Sequence, residues 1–300
     1  MKRVIITGAN GFIGSSLIKE LIKKKIEIIA IDRLFISSNL PKSNLITKIE
    51  MELDDIDSVL SAIPTGEYDV FYHFAWAGVN GADKADPLIQ VKNVEMTLSC
   101  AKMAKKLKVN KFLCAGTIAE RSSESLSSLK TTSGGMLYGI AKHATHLMLE
   151  TYCKNINLNF VWMQFSNIYG PSNKTGNLVS YTIETLNSGK EAFFGPANQP
   201  YDFIYVDDLV EAVMRLGENI TTKHYYFIGS GEPKLLKEYL FEIGEQCGKK
   251  DLIKIGMRSD DGIKYSIEMF DISSLKKDIG NYTSRSFAEG IKYTLENYLK

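Results

Sequence analysis

The chain begins with the stretch Val4-Ile5-Ile6-Thr7-Gly8-Ala9-Asn10-Gly11-Phe12-Ile13-Gly14, in which an apolar strand runs into a glycine loop and the loop opens onto a helix. Glycines at positions 8, 11 and 14 allow a tight turn, let a pyrophosphate approach the main chain, and let the helix pack closely on the strand. The helix N-terminus then faces the negative charge of the phosphates. This arrangement predicts a dinucleotide-binding site.

A second predicted strand, Glu27-Ile28-Ile29-Ala30-Ile31, supports this interpretation because it leads into Asp32. An acidic residue about twenty positions beyond the glycines can accept hydrogen bonds from the adenosine ribose. Its charge also repels a 2′-phosphate, which favours NAD as the cofactor. The neighbouring Arg33 could attract a 2′-phosphate, so NADP stays open as the alternative.

Composition and charge exclude several classes of protein. The 300 residues are 44% hydrophobic and 24% charged, which are values typical of a globular protein. The formal net charge of +1 argues against nucleic acid or an anionic membrane as a partner. There is no run of eighteen apolar residues, no signal region and no C-x-x-C pair, so we expect a cytoplasmic protein with reduced cysteines.

Strand-like and helix-like segments alternate from residue 1 to about 165, which predicts an α/β fold with a doubly wound parallel sheet. The pattern predicts strands near 3–7, 27–32, 48–52, 69–75, 111–116 and 159–164, and helices near 12–24, 56–63, 88–108 and 136–155. We predict a dinucleotide-binding Rossmann domain over residues 1–170 and a smaller α/β substrate lobe over residues 171–300. Within that lobe, residues 205–230 could return to the main sheet.

Tyr138 and Lys142 are four residues apart and therefore share one face of a predicted helix. A tyrosine with a pKa of about 10 is a poor base at neutral pH unless a cation and hydrogen bonds favour the phenolate. Lys142 would provide the cation. Thr117 follows a predicted strand, and its hydroxyl could hold the reacting oxygen beside Tyr138 or cap the next turn. The four histidines show no clustering, so we predict no metal site.

With these residues in place, the chain resembles the extended short-chain dehydrogenase/reductase family and, within it, the sugar-nucleotide epimerase/dehydratase/reductase group. The resemblance assigns Thr117, Tyr138 and Lys142 to catalysis. It implies a Rossmann fold, a nicotinamide cofactor and a nucleotide-sugar substrate. The residues that it assigns to the cofactor are Gly8, Gly11, Phe12, Ile13, Gly14, Asp32, Arg33, Asp54, Phe74, Ala75, Asn93, Tyr138 and Lys142.

Other motifs carry the resemblance into the second half of the chain. The stretch Met163 to Pro171 is similar to L-R-Y-F-N-V-Y-G-P, which places Asn167 at the sugar nucleotide, and Tyr201 to Asp208 is similar to R-D-F-I-Y-V-D-D. The resemblance also implies a homodimer formed by the helices near 88–108 and 136–155. Apolar residues on those helices, such as Met96, Met103, Ala144 and Met148, could equally belong to the core.

Departures from the family pattern bear on the reaction. Members that dehydrate the sugar carry an Asp-Glu pair after the catalytic threonine, whereas this chain has Ile118 and Ala119, so we expect no 4,6-dehydratase. Tyr201 replaces an arginine that would bind the substrate diphosphate, and Arg258 resembles a second phosphate-binding arginine. Trp76 replaces a small residue, either as a core aromatic or as a surface for the sugar.

The resemblance implies hydride transfer at C4 of the sugar, with Tyr138 moving the proton and Thr117 holding the oxygen. We slightly favour a reductase of a 4-keto-6-deoxy sugar nucleotide, because Trp76 and Tyr201 depart from the common epimerase pocket. A sugar-nucleotide 4-epimerase is the alternative. A silent dinucleotide-binding protein and a reductase of a non-nucleotide carbonyl are less favoured.

Overall fold

The computed structural model describes residues 1–36, 38, 40–124, 133–171, 173, 176–259 and 265–298. The strands are β1 (Arg3–Thr7), β2 (Glu27–Asp32), β3 (Ile46–Glu50), β4 (Val70–His73), β5 (Lys111–Thr117), β6 (Phe160–Phe165), β7 (Asn167–Tyr169), β8 (Ala192–Phe193), β9 (Pro200–Tyr201), β10 (Phe203–Tyr205), β11 (Tyr225–Ile228), β12 (Lys234–Leu235) and β13 (Ile253–Lys254). The α-helices are α1 (Phe12–Lys23), α2 (Ile56–Ala62), α3 (Pro87–Lys106), α4 (Arg121–Glu124), α5 (Met136–Asn155), α6 (Leu178–Asn187), α7 (Val206–Glu218), α8 (Leu236–Gln246), α9 (Ser273–Ile279) and α10 (Phe287–Tyr298).

A seven-stranded sheet has the order β11-β6-β5-β4-β1-β2-β3. Strands β3, β2, β1, β4 and β5 run parallel. The residues of β1, β2, β4 and β5 are mostly buried, as expected for a sheet covered on both faces, whereas the edge strand β3 is largely accessible. The chain order reverses between β1 and β4, which is where a doubly wound fold binds its ligand. The predicted Rossmann fold is confirmed, and β11 brings the chain back to the edge of this sheet.

Contacts divide the described residues into two compact units. The first comprises residues 1–123, 134–164 and 210–226, and the second holds the remaining described residues. The predicted boundary at residue 170 lies close to residue 164, where the first unit ends its middle segment. Across the described residues, none of the helices combines the length and apolar character needed to span a membrane.

Each unit has its own apolar core. Side chains from the sheet pack against α3 and α5 in the first unit, with Phe71, Phe112 and Trp162 fully buried. In the second unit an aromatic cluster joins Phe203 to the rings of Tyr239 and Phe287 at centroid distances of 5.0 and 5.4 Å. This unit contains short strand pairs. Strand β10 pairs with β7 in parallel, and β12 pairs with β9 in antiparallel orientation.

His73 ties the end of β4 to its neighbours in the first unit. Its Nδ1 lies 2.7 Å from Thr7 Oγ1 on β1, and its Nε2 lies 3.0 Å from Thr97 Oγ1 on α3. Burial, helped by the charge of Lys142, lowers the pKa of His73 to about 3. The ring is therefore neutral in the folded protein at neutral pH, and it has a structural role.

The buried His73 should make unfolding depend on pH. Below a pH of about 6.5 the imidazole of His73 binds a proton in the unfolded state but not in the folded state. The free energy of unfolding that His73 contributes above pH 6.5 is therefore lost as the pH falls toward 3. Between pH 7.5 and 5.0, the difference in unfolding free energy between the wild type and His73→Gln should shrink by about 2 kcal/mol. Urea denaturation at both pH values measures it. An unchanged difference would contradict a neutral His73.

Candidate active site

The glycine loop lies at the carboxyl end of β1, where it approaches the main chain that follows β4. Gly8 has φ of +67°, and a Cβ at this position would lie 2.7 Å from the backbone nitrogen of Ala75. A Cβ at Gly14 would lie 2.2 Å from the carbonyl oxygen of Gly8. Only glycine fits either position, because in both cases the obstructing atom belongs to the backbone.

Helix α1 starts directly at this loop. Gly11 is its N-terminal cap residue and donates its N–H to the carbonyl oxygen of Gly8 at 3.1 Å. None of the described side chains caps α1, so the N–H groups of the first turn, at Phe12, Ile13 and Gly14, form a site for an anion. The cradle fits the pyrophosphate of a dinucleotide.

Asp32 ends β2 and connects this strand to the glycine loop. Its carboxylate accepts hydrogen bonds from the backbone N–H groups of Asn10 and Arg33, each at 2.8 Å. The carboxylate therefore lies beside the loop, as a ribose-binding acid must. Arg33 is exposed, and so is Asp54, which precedes the helix-capping Asp55 of α2. The contacts of Arg33 and Asp54 with a cofactor stay predictions.

Phe74 and Ala75 continue from β4 past the glycine loop, and Phe74 donates its backbone N–H to the carbonyl oxygen of Thr7 at 3.1 Å. Asn93, on α3, is buried, and its side-chain amide forms two hydrogen bonds of 2.8 Å with the backbone N–H and carbonyl of Ala77. Asn93 thus fixes the main chain beyond β4. A direct contact between Asn93 and the cofactor stays a prediction.

The predicted catalytic residues meet where α5 crosses the turn after β5. Gly139 makes this possible, because a Cβ there would lie 2.3 Å from the carbonyl oxygen of Ala119. Thr117 ends β5 with its hydroxyl beside that of Tyr138, where it acts to lower the pKa of the tyrosine. Thr117 Oγ1 also accepts the N–H of Ala119 at 3.3 Å, so the threonine both caps the turn and contacts Tyr138.

Lys142 is buried one turn along α5, with 4% of its surface exposed. Its ammonium donates to the carbonyl oxygen of Ala115 at 2.7 Å and lies 3.7 Å from the centroid of the Trp76 ring. Removal from water disfavours the charged form and lowers the pKa of Lys142 to about 8. The group therefore titrates much closer to neutrality than an exposed lysine.

Tyr138 is partly exposed, and burial of its hydroxyl raises its pKa above the ordinary value, although the hydrogen bond with Thr117 acts in the opposite direction. The ammonium of Lys84 lies 5.1 Å from the Tyr138 ring centroid. At neutral pH the phenol keeps its proton. Tyr138 is therefore poised as a proton donor in the free protein.

Trp76 lies beside these groups and is held in place. Its indole Nε1 donates to Gln90 Oε1 at 2.9 Å, and Gln90 in turn donates to the carbonyl oxygen of Gly78 at 2.9 Å. The indole meets the Tyr138 ring edge to face, with centroids 6.1 Å apart. Trp76 therefore packs against the predicted catalytic residues Tyr138 and Lys142 and is only partly buried.

The remaining predicted substrate residues lie in the second unit. The hydroxyl of Tyr201 donates to Asn167 Oδ1 at 3.1 Å, and the Asn167 amide donates to the carbonyl oxygen of Asp202 at 3.1 Å. Arg258 donates to the Tyr181 hydroxyl at 2.9 Å and covers its ring. Tyr201 therefore orients Asn167, and the guanidinium of Arg258 stands on the surface of its unit.

Two polar residues of the site are absent from the sequence prediction. Gln90 anchors Trp76, and Glu120 is a buried carboxyl that accepts the backbone N–H of Thr117 at 2.6 Å. The pattern Thr117-Ile118-Ala119-Glu120 is a capping box, a signal visible in the sequence. Its importance depends on burial, which the pattern does not reveal.

Gly8→Ala should abolish NAD binding, because the new Cβ requires the main chain at Ala75 to move. Gly189→Ala is the matched control, since Gly189 has a similar φ of +71° and no atom within 4 Å of a built Cβ. Both variants carry the same backbone strain of roughly 1 kcal/mol or more. Calorimetric titration with NAD should show loss of binding for Gly8→Ala only. Equal affinities for the two variants would contradict the assignment.

Comparisons with known proteins agree with this geometry. The model of the NAD dependent epimerase/dehydratase family matches residues 4–229. CDP-abequose synthase of Salmonella typhimurium is 25% identical over 276 residues, which cover 88% of each chain. UDP-glucose 4-epimerase of Thermotoga maritima has a TM-score of 0.81 at 23% identity and covers 99% of this chain and 98% of its own. The dTDP-glucose 4,6-dehydratase DesIV of Streptomyces venezuelae, solved with NAD bound, has a TM-score of 0.81 at 19% identity, with 99% and 97% covered.

At these identities the two structures show the shared fold, while the family model covers most of the chain and includes the glycine loop, Thr117, Tyr138 and Lys142. The nicotinamide cofactor predicted from Asp32 is NAD, the cofactor after which the family is named. The chain belongs to the NAD dependent epimerase/dehydratase family.

Proposed function

We propose that the protein reduces the 4-keto group of a nucleotide-linked 4-keto-6-deoxy sugar. The observation that carries this proposal is the group formed by Thr117, Tyr138 and Lys142, with Trp76 fixed against it. The group offers a protonated phenol, a hydroxyl and a cation within one short stretch of β5 and α5. These are the parts needed to polarise and protonate a carbonyl oxygen.

Each residue has a defined task in this scheme. Thr117 donates a hydrogen bond to the C4 oxygen of the sugar, and Tyr138 delivers its proton to that oxygen. Lys142 stabilises the phenolate that remains, because a nearby cation favours the charged form. NAD in its reduced form supplies the hydride to C4 when bound, and the cradle around Gly8 and Asp32 holds it.

Trp76 favours reduction over epimerisation. An epimerase must turn its 4-keto intermediate over inside the site, so that both faces of the sugar reach the same hydride position. The indole of Trp76 is anchored by Gln90 and stands against Tyr138, which reduces the room for such a rotation. A reductase needs only one face of the sugar at the hydride position, and a fixed indole ring helps to select that face.

The turn that follows Thr117 disfavours dehydration. Ile118 and Ala119 offer no acid or base at the two positions after Thr117. The next residue, Glu120, is a carboxyl, but its oxygens accept hydrogen bonds from the backbone of Thr117 and from Trp162. We therefore assign no elimination step to this turn.

We assign recognition of the nucleotide to the second unit. Arg258 presents an exposed guanidinium, which suits the diphosphate because its planar donors match phosphate oxygens. Asn167, held by Tyr201, is the residue that the family motif places at the sugar nucleotide. Tyr201 replaces a second arginine, so Arg258 carries the diphosphate charge by itself.

The enzyme should oxidise one NADH for each 4-keto-6-deoxy sugar nucleotide that it converts. Loss of absorbance at 340 nm with CDP-, dTDP-, GDP- and UDP-linked substrates measures this stoichiometry, and mass spectrometry should show a product heavier by two hydrogens. Interconversion of C4 epimers without net consumption of NADH would instead establish the 4-epimerase. Turnover of simple ketones alone would point to a reductase of non-nucleotide carbonyls.

Tyr138→Phe supplies the variant for this test. It should lower kcat by at least about a hundredfold, because a general acid contributes typically 10²–10⁴-fold, while NAD binding stays largely intact. Tyr152→Phe, on the same helix, is the matched control and should keep its activity. Nearly normal turnover of Tyr138→Phe would refute the proton-transfer scheme.

We also propose a homodimer formed through α3 and α5, which pack against each other in the first unit. Four of their large apolar side chains are exposed, namely Leu88 (72%), Val91 (63%), Leu147 (54%) and Met148 (49%). Of the residues considered from the sequence, Ala144 and Met148 are exposed and Met103 is buried in the core. A partner's helix pair would cover the exposed face.

Leu147→Glu should convert the dimer to a monomer, because a charge in an apolar interface loses its hydration. Ile220→Glu is the control, since Ile220 is 92% exposed outside these helices. Light scattering after gel filtration gives the mass of each variant. A dimer that survives Leu147→Glu, or a monomeric wild type, would contradict this interface.

A further inference from the structure

Glu120 is a buried carboxyl without a role in the scheme above. Only 1% of its surface is exposed. Its Oε1 accepts the backbone N–H of Thr117 at 2.6 Å, and its Oε2 accepts Trp162 Nε1 and Gln164 Nε2, each at 3.1 Å. Three donors converge on this carboxyl, so its position is closely defined.

One of these bonds reaches the catalytic group directly. Thr117 contacts Tyr138 through its side chain and Glu120 through its main chain. A carboxylate is a stronger acceptor than a neutral group, and charge-assisted hydrogen bonds are roughly twice as strong as neutral ones. The ionised form of Glu120 thus fixes the strand end from which the Thr117 hydroxyl projects.

Several charged and titratable groups surround Glu120, and they lie on α4, α5, β5 and β11. His146 on α5 stacks on Trp162 with ring centroids 4.9 Å apart, and its Nδ1 lies 3.8 Å from Glu120 Oε2. Arg121 donates to Gln164 and to the Tyr225 hydroxyl. Among the described residues, the titratable and charged groups of this cluster are Lys142, Tyr138, His143 and His146 on α5, Arg121 on α4, Cys114 on β5 and Tyr225 on β11.

Burial raises the pKa of Glu120 to about 7, because the donors and Lys142 only partly replace the lost hydration. Burial lowers the pKa of His146 to about 4, so that ring is neutral when Glu120 titrates. The negative charge of Glu120 favours the ammonium form of Lys142 and disfavours the phenolate of Tyr138. Near neutrality the carboxyl can therefore change the charge balance of the site.

We propose that Glu120, held by Trp162 and Gln164, is a positioning residue for the catalytic group: its carboxylate fixes Thr117 through the backbone N–H and places a negative charge in the surroundings of Lys142. The consequence for catalysis rests on the proposed function. The electrostatic coupling between Glu120 and Lys142 does not depend on that function. Loss of the carboxylate, by protonation or by substitution, shifts the titration of Lys142 to lower pH. It also loosens the strand end that carries the Thr117 hydroxyl.

The first test uses the free protein and needs neither cofactor nor substrate. The chain has two tryptophans, so ¹⁵N-tryptophan labelling gives two indole signals, and Trp76→Phe identifies that of Trp162. The Trp162 signal should titrate near pH 7, because its N–H donates to Glu120. Glu120→Gln should abolish this titration, and Glu67→Gln, at an exposed position, should not. A midpoint near 4 would report His146 instead and overturn the assignment.

The second measurement follows Lys142 by NMR of ¹³Cε-labelled lysine, assigned with Lys142→Arg. The midpoint should lie near 8 in the wild type and roughly one unit lower in Glu120→Gln, since an opposite charge nearby shifts a pKa by about 1–3 units. The alkaline limb of kcat/KM should move in the same direction. An unchanged Lys142 midpoint overturns the proposal, whatever the effect on kcat.

Glu120→Asp separates the effect of the charge on Lys142 from the positioning of Thr117. It also provides a second variant if Glu120→Gln does not fold. It keeps the charge but is one methylene shorter, so the Lys142 midpoint should stay within a few tenths of the wild-type value while kcat falls. A Lys142 midpoint as low as that expected for Glu120→Gln would overturn the charge role. A wild type that titrates as expected but turns over no sugar nucleotide would refute only the proposed function.

Discussion

Burial of the Lys142 ammonium is the constraint on which the rest of the site depends. A charged group taken out of water must find new partners, and Lys142 finds the carbonyl of Ala115, the face of Trp76 and the negative charge of Glu120. Each partner comes from a different element. These three partners together replace the water around one cation, and a change at any of them alters the balance between the charged and neutral forms of Lys142.

The approach of α5 to the turn after β5 brings this cation to the reacting groups. Gly139 allows contact with the carbonyl of Ala119, and this contact sets Tyr138 against Thr117. The same turn carries Ile118 and Ala119 at the positions where the family pattern of the dehydratases has an acid–base pair. A single short segment thus both completes the proton-transfer group and restricts the reaction.

Residues on the rim of the catalytic group differentiate this protein from the pattern of its family. Trp76 is large where the family pattern has a small residue, and Gln90 prevents the indole from moving freely. Tyr201 uses its hydroxyl to orient Asn167 rather than to bind phosphate. Family membership defines the cofactor, whereas these side chains bear on the reaction that we propose.

Most of the fold could be predicted from the sequence because the relevant signals are local. Apolar strands, a glycine loop and helical spacing predicted β1, α1, β2, β5 and α5 to within about two residues, whereas β3 begins two residues and α3 one residue earlier than predicted. Helical spacing places Tyr138 and Lys142 on one face, and the glycine loop before them and the family resemblance assign them to catalysis. The hydrogen bonds of Asn93 to Ala77 could not be anticipated, since they join residues sixteen apart that only the folded loop brings together.

The sequence by itself predicted the Rossmann fold and NAD as the cofactor, and it proposed Tyr138 and Lys142 as the catalytic pair, because the glycine loop, the alternation of strands and helices and the helical spacing are visible in the chain. Tertiary structure alone decided the protonation of the site and the surroundings of its cation. Glu120 and Trp76 act through burial and through contacts with distant elements, and the free energy of a buried charge depends on everything that replaces water around it. No local pattern carries that information.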